Sequence, residues 1–175
     1  MKNLPRDEKG LSMIETIFCL TVFGMVSVLI FQCYTVGSRN VDISYAQFRL
    51  TGQARQALDR MVKELRNSAY WQVTVPVSNQ VTFRVPQSIS PNGVITWSGM
   101  IQYVLGGLNN RQILRQDLVS GASSVLASDV TALQFVKNTN PTTLSISLTT
   151  TGTTKAGDII PIAVNGTVEF RNGSS

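Results

Sequence analysis

Histidine is absent from this chain. Its absence removes the usual general base near neutral pH, the commonest metal ligand and every histidine-containing catalytic triad. Cysteine is scarce: Cys19 and Cys33 are the only two, both inside one apolar stretch. On a helix their backbones stand about 21 Å apart, too far for a disulfide, so they are expected to pack as small apolar residues. A lipoprotein anchor at either one is excluded by the bulky residue before it, Phe18 or Gln32. Beyond Trp71 the acidic residues are Asp117, Asp129, Asp158 and Glu169, and their scatter predicts no calcium loop. No glycine-rich phosphate cradle precedes a helix, since Gly106-Gly107 lies between strand-like runs, and no serine has a plausible base beside it. The chain is therefore expected not to be an enzyme and to hold no metal or cofactor.

Basic residues outnumber acidic ones, 15 to 10. Lys2, Arg6 and Lys9, with Asp7 and Glu8, crowd in front of Gly10; the remaining 12 basic and 8 acidic residues are dispersed, so nucleic-acid binding is not indicated. Behind Gly10 comes a long apolar run. Leu11 to Phe31 is 21 residues, and at about 1.5 Å each this matches a hydrocarbon core of about 30 Å. A secretory signal has a shorter apolar region and a small-residue cleavage site, and the sequence FQCYTVG that ends this run supplies none. Basic residues before the run, against a first one after it at Arg39, place the N-terminus in the cytoplasm and the bulk of the chain outside it. Within Ile14 to Phe31 the only charged residue is Glu15, whose burial in lipid costs about 2 to 4 kcal/mol.

The junction Lys9-Gly10-Leu11-Ser12-Met13-Ile14-Glu15-Thr16 resembles the processing site of type IV prepilins and of type II secretion pseudopilins. A short basic leader, a glycine at the junction, an apolar residue after it, a glutamate fifth in the new chain and a continuous apolar helix occur together. The resemblance implies that a prepilin peptidase cuts between Gly10 and Leu11 on the cytoplasmic face and N-methylates the new Leu11 amine. It also implies that Glu15 meets the N-terminal amine of a neighbouring subunit during filament assembly. A carboxylate that is costly alone in lipid is tolerable when paired. The alternative reading of Glu15 is a residue of the first helical turn, favoured by the helix dipole. At Gln32 major pilins often carry proline, so this chain fits a minor pilin or pseudopilin better than a bulk fibre subunit. Gly24 fits a helix that loosens locally.

Past the apolar run a helical period continues in polar sequence: Phe48, Ala54, Leu58, Met61 or Val62, Leu65 and Ala69 form one stripe, with Arg55, Asp59, Lys63, Arg66 and Asn67 on the other faces. The expected helix extends from Leu11 to about Tyr70, with Gly37 and Gly52 weakening its continuity. After Trp71, β-branched runs alternate with Gly, Pro, Asn and Ser. Candidate strands are 72–75, 80–85, 94–97, 100–105, 112–116, 124–126, 132–136, 143–148, 159–164 and 167–170. Gly106-Gly107 with Asn109-Asn110, and Asn165-Gly166, signal turns, and Thr149 to Thr154 reads as a loop. The predicted fold class is α+β, a long N-terminal helix on an antiparallel sheet. Its organisation is a leader over 1–10, a membrane or filament-core helix over 11–34, an amphipathic continuation over 35–70 and a β-rich domain over 71–175.

Ile101-Gln102-Tyr103 with Leu105, Leu114-Arg115, and Val125-Leu126-Ala127 through Val130 to Leu133, Gln134 and Phe135 are similar to the globular domain of W-type minor pilins and J-type minor pseudopilins. Val168-Glu169-Phe170-Arg171-Asn172 is similar to their closing strand. Arg115 and Arg171 read as solvated strand-edge charges, with a structural ion pair as the alternative. The resemblance implies an inner-membrane, single-pass subunit that primes and caps a type IV pilus or a pseudopilus. Its implied partners are other minor and major pilins or pseudopilins, the prepilin peptidase and an inner-membrane assembly platform. Two other readings stay open: a tip module that binds secreted protein, DNA or a surface through Trp71 or Trp97, both expected in the core, and a plain single-span membrane protein.

Overall fold

The structure, a computed structural model, describes residues 12–170. Its first element is the helix α1 (Met13–Arg66), which runs without a break through both Gly37 and Gly52. Neither glycine has a neighbour where a side chain would stand, so neither is needed for close packing. The contact pattern divides the chain into two units, Met1–Asp42 and Ile43–Ser175. In the first, every described residue up to Val41 is solvent-exposed, from helical residues that make no tertiary packing among themselves. The second holds the remainder of α1 and all of the strands.

The strands are β1 (Thr74–Val77), β2 (Gln80–Phe83), β3 (Pro86–Ile89), β4 (Ile95–Trp97), β5 (Ile101–Gly106), β6 (Gln112–Asp117), β7 (Ser123–Ala127), β8 (Val130–Thr139), β9 (Thr142–Thr153) and β10 (Ile159–Glu169). They form a five-stranded sheet in the order β1-β2-β5-β6-β7, a three-stranded sheet β10-β9-β8 and a hairpin β3-β4, with every pairing antiparallel. The fold class is therefore α+β, as the periodicities predict. Leu50, Ala54, Ala57, Leu58, Met61 and Leu65 form the buried stripe of α1. Most of that stripe joins one core with Val81, Phe83, Tyr103, Ile113, Phe135, Leu144, Ile146, Leu148 and Val168 from both larger sheets.

Several expectations change. Phe48 leaves the stripe: it is 80% exposed while Leu50 is fully buried. The helix ends at Arg66, and a single tight turn at Tyr70–Gln72 follows. Strand β3 was not foreseen, because all four of its residues are exposed and it shows no alternation. Thr149 to Thr153 belong to β9 instead of a loop, paired along their length with 159–163. Asn165-Gly166 lies within β10, where Gly166 faces Ile146. A Cβ on Gly166 would stand 3.1 Å from both Cδ atoms of Leu58, and one on Gly152 would stand 2.7 Å from Leu50 Cδ1. These two glycines let α1 lie close against the three-stranded sheet, which is why β10 tolerates the Asn-Gly pair. The Gly106–Asn110 turn is as expected, with Gly107, Asn109 and Asn110 all at positive φ.

Candidate functional site

The processing residues Gly10 and Leu11 lie outside the described residues. The closing residues Arg171 and Asn172 do as well. Glu15 is described, in the first turn of α1. The backbone N–H and the hydroxyl of Thr16 both donate to the Ser12 carbonyl, at 3.1 and 3.3 Å, which starts the helical ladder just before Glu15. The Glu15 side chain is exposed, and among the described residues no hydrogen bond or ion pair holds it. Its place also agrees with the dipole reading, since the N-terminal end of a helix favours a carboxylate.

Around Glu15 the helix surface is apolar. Met13, Ile14, Phe18, Leu20, Phe23, Met25, Ile30 and Phe31 stand exposed. An 18-residue window of α1 has mean hydropathy 2.2, and none of it is buried. By length and composition this segment is able to cross a membrane. Three of its hydroxyls bond back onto the helix: Thr21 donates to the Ile17 carbonyl at 2.9 Å, Ser27 to Phe23 at 2.8 Å and Thr35 to Gln32 at 2.9 Å. A hydroxyl turned back onto its own helix brings no unpaired donor into an apolar medium. Shallow apolar depressions run along both sides, one around Gly24 with Leu20, Thr21, Met25, Val28 and Leu29. They are the grooves between the side-chain ridges of a bare helix.

In the second unit the charged chemistry is structural. The Tyr103 hydroxyl donates to Glu64 Oε2 at 2.8 Å and Arg115 Nε donates to the same oxygen at 2.9 Å, while Arg60 Nε reaches Oε1 at 3.4 Å. Arg115 is thus an ion-pair residue joining β6 to α1, and the expectation of a solvated strand-edge charge is corrected. Burial alone would raise the Glu64 carboxyl; the hydrogen bonds from Arg115 and Tyr103 and the Arg115 charge outweigh it and hold Glu64 below the usual carboxylate value. Burial and then the neighbouring carboxylate push Tyr103 strongly upward, so it stays a neutral donor. Lys137 makes a second tie. Its Nζ donates to the Val73 carbonyl at 2.6 Å and to Tyr70 at 3.1 Å, and lies 4.0 Å from the Tyr70 ring centroid; burial lowers its pKa.

The sequence reading did not single out Tyr45 and placed Phe48 in the buried stripe. Tyr45 and Phe48 stand one helical turn apart on the solvent side of α1, both more than two-thirds exposed. Gly52 continues that face with no side chain, and the spacing extends back in the sequence to Val41 and Tyr34. The signal was present as a second period, out of phase with Leu50, Ala54 and Leu58. Trp71, expected in the core, is 53% exposed, and Trp97 at the end of β4 is half-buried. Among the described residues no group of three or more acidic, cysteine or histidine side chains converges on a metal-sized site. Comparisons with family models, with curated proteins and with solved structures return no match.

Proposed function

We propose that the chain is a minor pilin or minor pseudopilin, a structural subunit that primes and caps assembly of a type IV pilus or a type II secretion pseudopilus. The observation that carries this reading is the junction Gly10-Leu11 followed by an exposed apolar helix with Glu15 in its first turn. In this reading a prepilin peptidase removes residues 1–10 on the cytoplasmic side and methylates Leu11. The helix waits in the inner membrane, with the β-rich domain beyond it, and Glu15 then pairs with the amine of the neighbouring subunit as the chain leaves lipid for the filament. A pairing partner removes most of the cost of an isolated carboxylate in that medium. The activity is polymerisation, and no catalytic chemistry is assigned.

The test is mass spectrometry of the chain recovered from membranes of cells with and without the peptidase. The expected product begins at methylated Leu11 and depends on the peptidase; a chain that keeps Met1 in both strains rules the reading out. A second reading, a tip module that binds secreted protein, DNA or a surface, is favoured by one observation: Trp71 is exposed where a core residue was expected. In that case Trp71→Ala lowers partner recovery and leaves assembly unchanged.

A further inference from the structure

An asparagine followed by glycine is open to attack by its own backbone, because a residue without a side chain lets its nitrogen reach the asparagine amide carbon. The chain carries this pair as Asn92-Gly93, Asn165-Gly166 and Asn172-Gly173, and the last lies outside the described residues. The first two share their chemistry and differ in where the fold puts them. Asn165-Gly166 lies within the 11 residues of β10, with Asn165 opposite Ser147 and Gly166 opposite Ile146. Leu58 of α1 closes on the Gly166 position. Attack there requires the extended backbone to rotate, which breaks strand pairing that the core supports.

Asn92-Gly93 lies instead in the turn of the β3–β4 hairpin. Ser90-Pro91-Asn92-Gly93 suits a type I turn, with proline second and glycine fourth, and the Gly93 N–H donates to the Ser90 carbonyl at 2.8 Å. The Ser90 N–H closes on the Val94 carbonyl, also at 2.8 Å. Asn92 and Gly93 are both exposed, and nothing lies within 4 Å of the place where a Gly93 side chain would stand. The hairpin is joined at its base, where the Ser98 N–H donates to the Val85 carbonyl at 2.8 Å and the Val85 N–H to Ser98 Oγ at 3.1 Å. Beyond that base it is a two-stranded sheet of its own, with no buried residue in either strand. A hairpin of that kind is only marginally stable, so its turn opens locally without disturbing the core.

We propose that Asn92 is a site of spontaneous covalent modification. When the turn opens, the Gly93 backbone nitrogen gives up its proton and bonds to Asn92 Cγ, the Cγ–Nδ2 bond breaks, and ammonia leaves with that proton. Water then opens the cyclic imide. Cleavage at Cγ yields aspartate, and cleavage at the main-chain carbonyl yields isoaspartate, whose backbone is longer by a carbon. No residue from Val85 to Asn110 is charged, and Ile89 and Val94, 69% and 64% exposed, flank the turn. Either product therefore brings a negative charge into an uncharged, apolar-flanked tip. The change runs one way and accumulates with the age of each copy. It rests on the hairpin alone and is independent of the filament reading.

The test incubates the full-length chain in detergent at mildly alkaline pH, where the attacking nitrogen loses its proton more readily. Digestion and mass spectrometry then follow the peptides that hold Asn92 and Asn165. Conversion is read as the exchange of an amide for an acid, and isoaspartate as a substrate for enzymatic methylation by an isoaspartyl methyltransferase. In the folded chain Asn92 is expected to convert about tenfold faster than Asn165, or more, because its opening is local. In denaturant the two rates are expected to come together, since both pairs are Asn-Gly. Asn92→Gln keeps the turn neutral and lengthens the side chain past the favoured five-membered ring, so it stops conversion at that position and leaves Asn165 as it was. Equal rates in the folded chain, or a slower rate at Asn92, overturn the proposal. A gap that persists in denaturant overturns it as well, because the hairpin is then not its cause.

Discussion

Residues of the same kind meet opposite fates in the two units. Leu20, Leu29 and Phe18 of the first are all more than half exposed, whereas Leu65, Leu148 and Phe135 of the second are buried within one core. The second unit covers its own apolar surface, with sheets on the α1 stripe. The first covers none. Exposed apolar surface of that extent is uncommon on a protein in water, and by length and composition this segment is able to cross a membrane. The difference separates where each residue goes: in the second unit a leucine packs into the core, and in the first it stays on the surface.

The largest expected effect falls on the first unit. Glu15→Leu removes the one charge of the apolar segment and makes it more apolar, so membrane insertion persists and the β domain keeps its stability. If the proposed filament reading holds, incorporation into filaments or tip complexes is expected to be lost. Immunoblotting of sheared filaments against membrane fractions measures both quantities, and normal incorporation contradicts the registering role.

Next is the same substitution made in both units. Leu65→Ala opens a cavity under a fully buried side chain and is expected to destabilise the domain by about 2 to 5 kcal/mol. Leu29→Ala, at a side chain 60% exposed, leaves the unfolding of the domain unchanged. Denaturant unfolding of the two variants in the same detergent makes the comparison directly, and equal losses erase the distinction between the units.

A smaller effect separates charge from packing within the second unit. Because Glu64 is held below its ordinary carboxylate value of 4.5, its ion pair with Arg115 stabilises the fold at neutral pH. The sign follows from linkage: the unfolded state takes up a proton first, so this stability fades as pH falls below about 4.5 and is gone once Glu64 itself protonates. Glu64→Gln is expected to cost about 1 kcal/mol at pH 7 and to cost less with acidification, as both side chains are only partly buried. Unfolding followed from pH 7 to pH 3 shows the wild-type and Glu64→Gln curves converging; a constant gap means that the contact works by shape alone.

How much of this was legible in the sequence depends on how local the cause is. The long helix, the antiparallel class and most strands follow from periodicity and turn residues, because those causes lie within a few residues. The place of Glu15 in the first helical turn was legible for the same reason, and the Gly10-Leu11 junction, a pattern of fixed short spacing, lies outside the described residues. Arg115 was misread because its partner, Glu64, is far away in sequence and nothing near Arg115 announces it. Phe48 was misread because steps of three, four and six fit two phases of one helix, and only the sheets decide which phase is buried. Gly166 was taken for a turn because Asn-Gly is a turn signal, and its actual cause is the approach of Leu58 from a distant element. Strand β3 has no buried side to produce an alternation.

The smallest expected effect tests how completely the second unit satisfies itself. Thr150 is fully buried in β9, between Val130 of β8 and Ile162 of β10, and its hydroxyl has no hydrogen-bond partner. An unpaired buried hydroxyl loses its hydration and receives nothing in exchange. Thr150→Val keeps the β-branched shape that suits a central strand, replaces the hydroxyl with a methyl group and removes that loss. The domain is expected to gain about 1 kcal/mol. The same exchange at Thr21, whose hydroxyl is bonded to the Ile17 carbonyl and faces outward from the first unit, leaves domain stability unchanged. A gain at Thr150 with none at Thr21 places a polar defect inside the self-covered unit, where the buried Arg84 Nε is a second one. A loss at Thr150 means that its hydroxyl is satisfied by a water molecule held in the core.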